Sequence, residues 1–218
     1  MSDHVRPFVP RSVRVGGALI GVGALQFVAA MIVVQLRWPG YSDLTNYISD
    51  LGNTATSPLP WLFNASIVLF GVLAFVGILA AWGGFPPGGL RLGGLGLLLL
   101  AAFAAILVGF FPENVNPSVH DLASLVVFGG GGAGVIVLSG AMRPGTSWAH
   151  LRAFSVAMGV ITLAALLYYA PTQIANTTFD PGLVERIIVA PIILWAIVAA
   201  IHLGRLPVRP RIRLGSPA

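Results

Sequence analysis

Three residues far apart in the chain, Asp50, His120 and Glu185, have side chains suited to chemistry. A histidine between two carboxylates is favoured as imidazolium. Such a group can donate hydrogen bonds to a phosphate or move a proton in general acid–base work, with the carboxylates as acceptors or bases. One imidazole and two carboxylates also suit a divalent metal, although a single histidine makes metal-dependent hydrolysis the weaker reading. The plainer role is to cap helix ends and lock loops together. Ser49, Asn64, Asp121 and Arg186 stand near these three and offer hydroxyl, amide, carboxylate and anion-binding guanidinium contacts to a substrate. No cofactor and no metal is assigned.

The charge distribution is the reason to expect these residues in one place. Read as six spans, the chain has ten of its twelve Arg in the N-terminus, the even loops and the C-terminus: Arg6, Arg11, Arg14, Arg91, Arg143, Arg152, Arg205, Arg209, Arg211 and Arg213. Every acidic residue except Asp3 falls in the three odd loops, with only Arg37 and Arg186 for company. Arginine in short loops marks the cytoplasmic side. Both termini are therefore expected inside, with positions 50, 120 and 185 at one depth on the outer face.

The chain is 56% hydrophobic and 9% charged, against about 25% charged in a soluble domain. Lipid is therefore the solvent for most of its surface, and membrane lipids are the expected partners. The net charge of +5 is spread over scattered arginines, which argues against a nucleic-acid partner and suits anionic headgroups. The absence of Lys beside abundant Ala, Gly, Pro and Arg suggests a bacterial source and hence a bacterial cell membrane. With no Cys, disulfides and thiolate chemistry are excluded. The apolar run at 13–36 exceeds a signal-peptide core of about 7–15 residues and reads as a retained first helix.

A helix needs about 20 apolar residues to span a ~30 Å core. Runs at 13–36, 60–82, 92–111, 122–142, 153–170 and 183–203 meet that length. The expectation is one all-α domain over 1–218, an integral membrane bundle of six transmembrane helices. In the first outer loop, Ser42 is placed to cap a short amphipathic helix running to Leu51, with Gly52 as its stop. Tyr41, Leu44, Ile48 and Leu51 would form its apolar stripe, and Asp43, Asn46 and Asp50 its polar one. Gly17 with Gly21, and Gly130 with Gly134, give small faces for close helix packing. No ionisable residue sits mid-span, which counts against a transporter or channel.

The motifs resemble those of a prokaryotic membrane family, domain of unknown function 998. More distantly they resemble the damage-regulated autophagy modulators and the related proteins of GPI-anchor lipid remodelling. The signature is Ile48-Ser49-Asp50-Leu51-Gly52, then Pro58, Phe63 and Asn64, then His120 with Phe128-Gly129, then Glu185. Leu51 stands where the eukaryotic signature has Thr, and Arg186 where it has Trp. The resemblance implies six spans and a tie to lipid handling, and it favours Asp50, His120 and Glu185 as a functional trio. The expected function is to recognise or modify a lipid headgroup or lipid-linked substrate at a polar outer pocket. The alternative is a structural or regulatory membrane protein that acts through lipid or partner binding.

Overall fold

A computed structural model describes residues 8–208 of the chain apart from Asn176 and Thr178. Arg6, Arg209, Arg211 and Arg213 lie outside the described residues. Six long helices account for most of the rest: α1 (Arg11–Leu36), α2 (Pro60–Ala81), α3 (Gly89–Phe110), α4 (Pro117–Ser139), α5 (Arg152–Ile174) and α6 (Pro181–Arg205). All six are long and apolar enough to cross a membrane. The chain is an all-helical, multi-pass membrane protein. An isolated bridge between Val9 and Val208 draws the two ends of the described chain together.

Proline sets three of the helix starts. Pro60, Pro117 and Pro181 occupy first-turn positions, where the missing N–H costs nothing and the fixed φ is already helical. α4 begins five residues before its apolar run, and the Asn116 side chain caps it by accepting the Val119 N–H at 3.3 Å. His120 and Asp121 therefore sit in the first turns of α4, and Glu185 and Arg186 lie within α6.

Consecutive helices pack side by side, and α6 returns onto α1 to close a ring. Glycine permits the tight crossings. A β-carbon on Gly94 would lie 2.9 Å from the Gly134 carbonyl oxygen, and one on Gly134 would lie 3.0 Å from that of Gly94. The expected small faces of α1 and α4 thus have partners, Gly17 and Gly21 against Ala200, and Gly130 and Gly134 against α3. Polar side chains inside the spans bond to neighbouring helices. Gln26 donates to the Ser66 carbonyl at 2.8 Å, Thr162 to that of Ile188 at 3.0 Å, and the Trp195 indole to Ser155 Oγ at 2.9 Å. Each side chain supplies the partner that lipid cannot.

The two ends of the bundle differ. At the arginine end, Trp148 is 1% exposed, stacks on Phe85 and donates to the Gly84 carbonyl at 2.8 Å. The acidic end is covered by the connection between α1 and α2, residues 37–59. This segment is not the continuous amphipathic helix expected from Ser42 to Leu51. It is a set of turns followed by one 3-10 turn, Ser49–Gly52. The polar stripe that suggested a helix bonds its own backbone instead. Asn46 Oδ1 accepts the Ser42 N–H at 3.0 Å, and Asp50 Oδ2 accepts the Tyr47 N–H at 2.9 Å. Short polar side chains compete with the helical ladder in this way. Of the apolar stripe, Ile48 and Leu51 are buried while Leu44 is half exposed.

Candidate functional site

The ring of helices is not packed solid. Beneath the 37–59 segment lies a cavity of ≈ 70 Å³, counted as space open to water centres. A single water needs roughly 10–15 Å³ on that measure. α1, α2, α3, α4 and α6 wall it, and Ile48 and Ser49 roof it. Four of its lining residues are polar, and three of these, Ser49, His120 and Glu185, lie at the acidic end, with Ser124 one turn below His120. Deeper in, the lining is apolar, with Phe27, Phe70, Phe128, Ile192 and Ile193, while Phe63, in the first turn of α2, stands near the roof beside Gly52. Phe27 contacts both Phe63 and Phe70, with ring centroids 5.6 and 5.7 Å apart. Eight residues separate Glu185 from Ile193 on α6, as they do His120 from Phe128 on α4. At 1.5 Å per residue the cavity is ~12 Å deep.

Glu185 is 8% exposed, and its Oε2 accepts the backbone N–H of Ile48. Ser49 Oγ donates to Glu113 Oε2 at 3.1 Å, which joins the roof to the α3–α4 connection. His120 is 6% exposed, with Nδ1 3.0 Å from the Phe111 carbonyl oxygen. A carbonyl can only accept, so Nδ1 carries the proton of this bond, and in the neutral tautomer Nε2 is left as an acceptor.

The expected meeting of Asp50 with His120 and Glu185 gives way to a different set. Ser49, His120 and Glu185 share the cavity; Asp50 does not line it. The Asp50 carboxylate is turned to its own segment, toward the Tyr47 N–H and Asn46 Nδ2. Asn64 is also outside the cavity. Its amide donates to the Gly52 carbonyl at 2.9 Å and fastens the 3-10 turn to α2. Asp121 is exposed on the outside of α4.

Arg186 is a clamp rather than an anion contact facing the cavity. Nη1 donates to the Asn46 and Gly182 carbonyls at 2.9 and 2.8 Å. Nη2 donates to Tyr41 Oη at 2.7 Å and pairs with Asp43 Oδ1 at 2.7 Å. Burial raises the Tyr41 phenol pKa above its ordinary value, with the neighbouring guanidinium opposing the shift. The phenol therefore stays protonated at neutral pH and donates to the Tyr47 carbonyl at 2.8 Å. Gly182 completes the clamp, since a β-carbon there would run into the Asn46 carbonyl.

Asp50→Asn is expected to cost less than about 1 kcal/mol, because an amide oxygen can still accept the Tyr47 N–H. Thermal unfolding of the purified variant checks this, and a loss of several kcal/mol would contradict the local role given to Asp50.

Sequence reasoning counts Glu113 among the acids of this end without pairing it with Ser49, and it misses Ser124 and the Tyr41–Asn46 part of the clamp. No periodicity signals these contacts, which arise from tertiary packing. Among the described residues no three His, Asp or Glu side chains gather as a metal site would require.

No curated protein and no solved structure gives a match, so the likeness to the damage-regulated autophagy modulators rests on sequence motifs alone. Residues 21–202, which hold every residue of the cavity and its roof, match the family described as "Protein of unknown function (DUF998)", and the chain belongs to that family.

Proposed function

We propose that this membrane protein recognises an amphiphile at its outer face, with the apolar chain in the cavity and the polar head at Ser49, His120 and Glu185. The expected setting is a bacterial cell membrane, with the arginine-bearing end in the cytoplasm. One observation carries the reading: the void inside the ring is apolar through its depth and polar at one end. Protein interiors are otherwise close-packed, and a concave, mostly apolar site with few polar groups is the usual form of a small-molecule pocket. Modification of the head would draw on His120 and Glu185, the two titratable side chains of the cavity.

The alternative, a structural or regulatory protein without chemistry, draws on a different observation. Asp50, Asn64 and Arg186 all tie the 37–59 segment to itself or to the helices. Native mass spectrometry of the purified protein separates the two. The wild type is expected to carry a bound amphiphile, and Val127→Phe, which fills the cavity from α4, to carry none at comparable thermal stability. Wild-type protein with nothing bound, or a filled variant carrying the same molecule, would leave the structural role standing alone.

A further inference from the structure

We infer that the head of the bound amphiphile carries no negative charge and donates hydrogen bonds, as a hydroxyl or an amine does. This rests on the amphiphile reading above and specifies its ligand. The polar end of the cavity is built mainly from acceptors, with the Ser124 hydroxyl, one turn below His120, as the group that can also donate. Glu185 takes the Ile48 N–H, with the Ser49 backbone also against its carboxylate, and a carboxylate's two oxygens have lone pairs beyond these. His120 has Nδ1 committed to the Phe111 carbonyl, so Nε2 is the ring atom left for a ligand, an acceptor in the neutral tautomer. Ser49 donates its proton to Glu113 and keeps its oxygen lone pairs.

Positive charge is held elsewhere. The two arginines of this end are Arg37, which is exposed, and Arg186, which does not line the cavity and is engaged by Asp43, Tyr41 and two carbonyls. Only His120 could bring a cation to the cavity, and Glu185 shares that cavity with it. Glu113, on the Ser49 hydroxyl, does not line the cavity but adds a second carboxylate behind its roof. A phosphate or carboxylate head would meet the Glu185 carboxylate with no free guanidinium to offset it, and like charges at short range in a poorly solvated site disfavour each other strongly. A hydroxyl or ammonium head finds the acceptors already in place. The ~12 Å depth is less than half of a ~30 Å hydrocarbon core, which suits one chain of medium length.

The test uses the full chain in phosphatidylcholine nanodiscs and a decanol with a photoreactive diazirine at its chain end. Unlabelled decanol, decylamine, decanoate and decyl phosphate compete for the labelling. Decanol and decylamine are expected to compete at tenfold or more lower concentration than the two anions. Val189→Phe, one turn below Glu185 on α6, is expected to abolish labelling, and Val127→Phe provides the same block from α4 where the first variant does not fold. Anions that compete as well as decanol, with the filled variants still blocked, would overturn the inference on the head while leaving the amphiphile site intact. No labelling of the wild type, or undiminished labelling of both filled variants, would overturn the amphiphile site and this inference together.

Discussion

Arg186→Met is expected to lower stability by about 3 kcal/mol and to loosen residues 41–47 on α6, which the Leu183 N–H on the Leu44 carbonyl and Glu185 on the Ile48 N–H still hold at two points. The guanidinium joins the Tyr41 phenol and the Asn46 and Gly182 carbonyls at distances between 2.7 and 2.9 Å. Hydrogen bonds to a charged group contribute about 1.5–3 kcal/mol each, but three on one side chain do not add. The ion pair itself adds little, because Asp43 is 65% exposed. Arg186→Lys keeps the charge without the planar fork and should recover only part of the loss. Thermal unfolding and amide exchange over 41–47 read both effects. If Arg186 bound an anionic substrate instead, neither readout would move.

The second large effect is expected at Glu185. Glu185→Ala leaves the Ile48 N–H without its partner beneath the roof of the cavity. A buried unsatisfied donor costs about 1–3 kcal/mol, and the space vacated beside it adds to that. A total near 3 kcal/mol follows, together with loss of the bound amphiphile as the roof loosens. Glu185→Gln keeps a side-chain oxygen for Ile48 and should cost about 1 kcal/mol. Unfolding measurements on the two variants, with bound material quantified in each, give the comparison. An alanine variant as stable as the glutamine one would show that the Ile48 contact does not hold the roof.

The helices were legible because each apolar run must satisfy its backbone internally, and in lipid only a helix does so within one segment. The helix starts at Pro117 and Pro181, ahead of the expected 122 and 183, are prolines in first-turn positions, a signal that the apolar runs alone do not carry. The earlier start at Pro117 places His120 on a helix, as Glu185 already was, and helices hold side chains more firmly than loops. The 37–59 segment was not legible. Its spacing fits a helix, yet Asn46 and Asp50 bond the nearby backbone, and periodicity does not weigh that competition.

The site was legible in part for the same reason. Depth in the membrane brings Ser49, His120 and Glu185 to one end, but the direction of a side chain depends on its partners. Arg186 looks like a cation beside a pocket until Tyr41, Asn46 and Gly182 come to it from other parts of the chain. The cavity itself could not be read at all. A void is what packing leaves unfilled, and its aromatic wall comes from α1, α2 and α4 together.

The central claim is that an apolar chain lies inside the ring, and the most direct test is to map where a chain-end diazirine amphiphile attaches. Peptide sequencing of the irradiated wild-type protein is expected to find the label on the deep wall, at Phe70, Phe128, Ile192 or Ile193. Label confined to exposed residues on the rim of the bundle, such as Leu100, Leu167 or Leu194, would show that the chain stays in the surrounding lipid and would contradict the account.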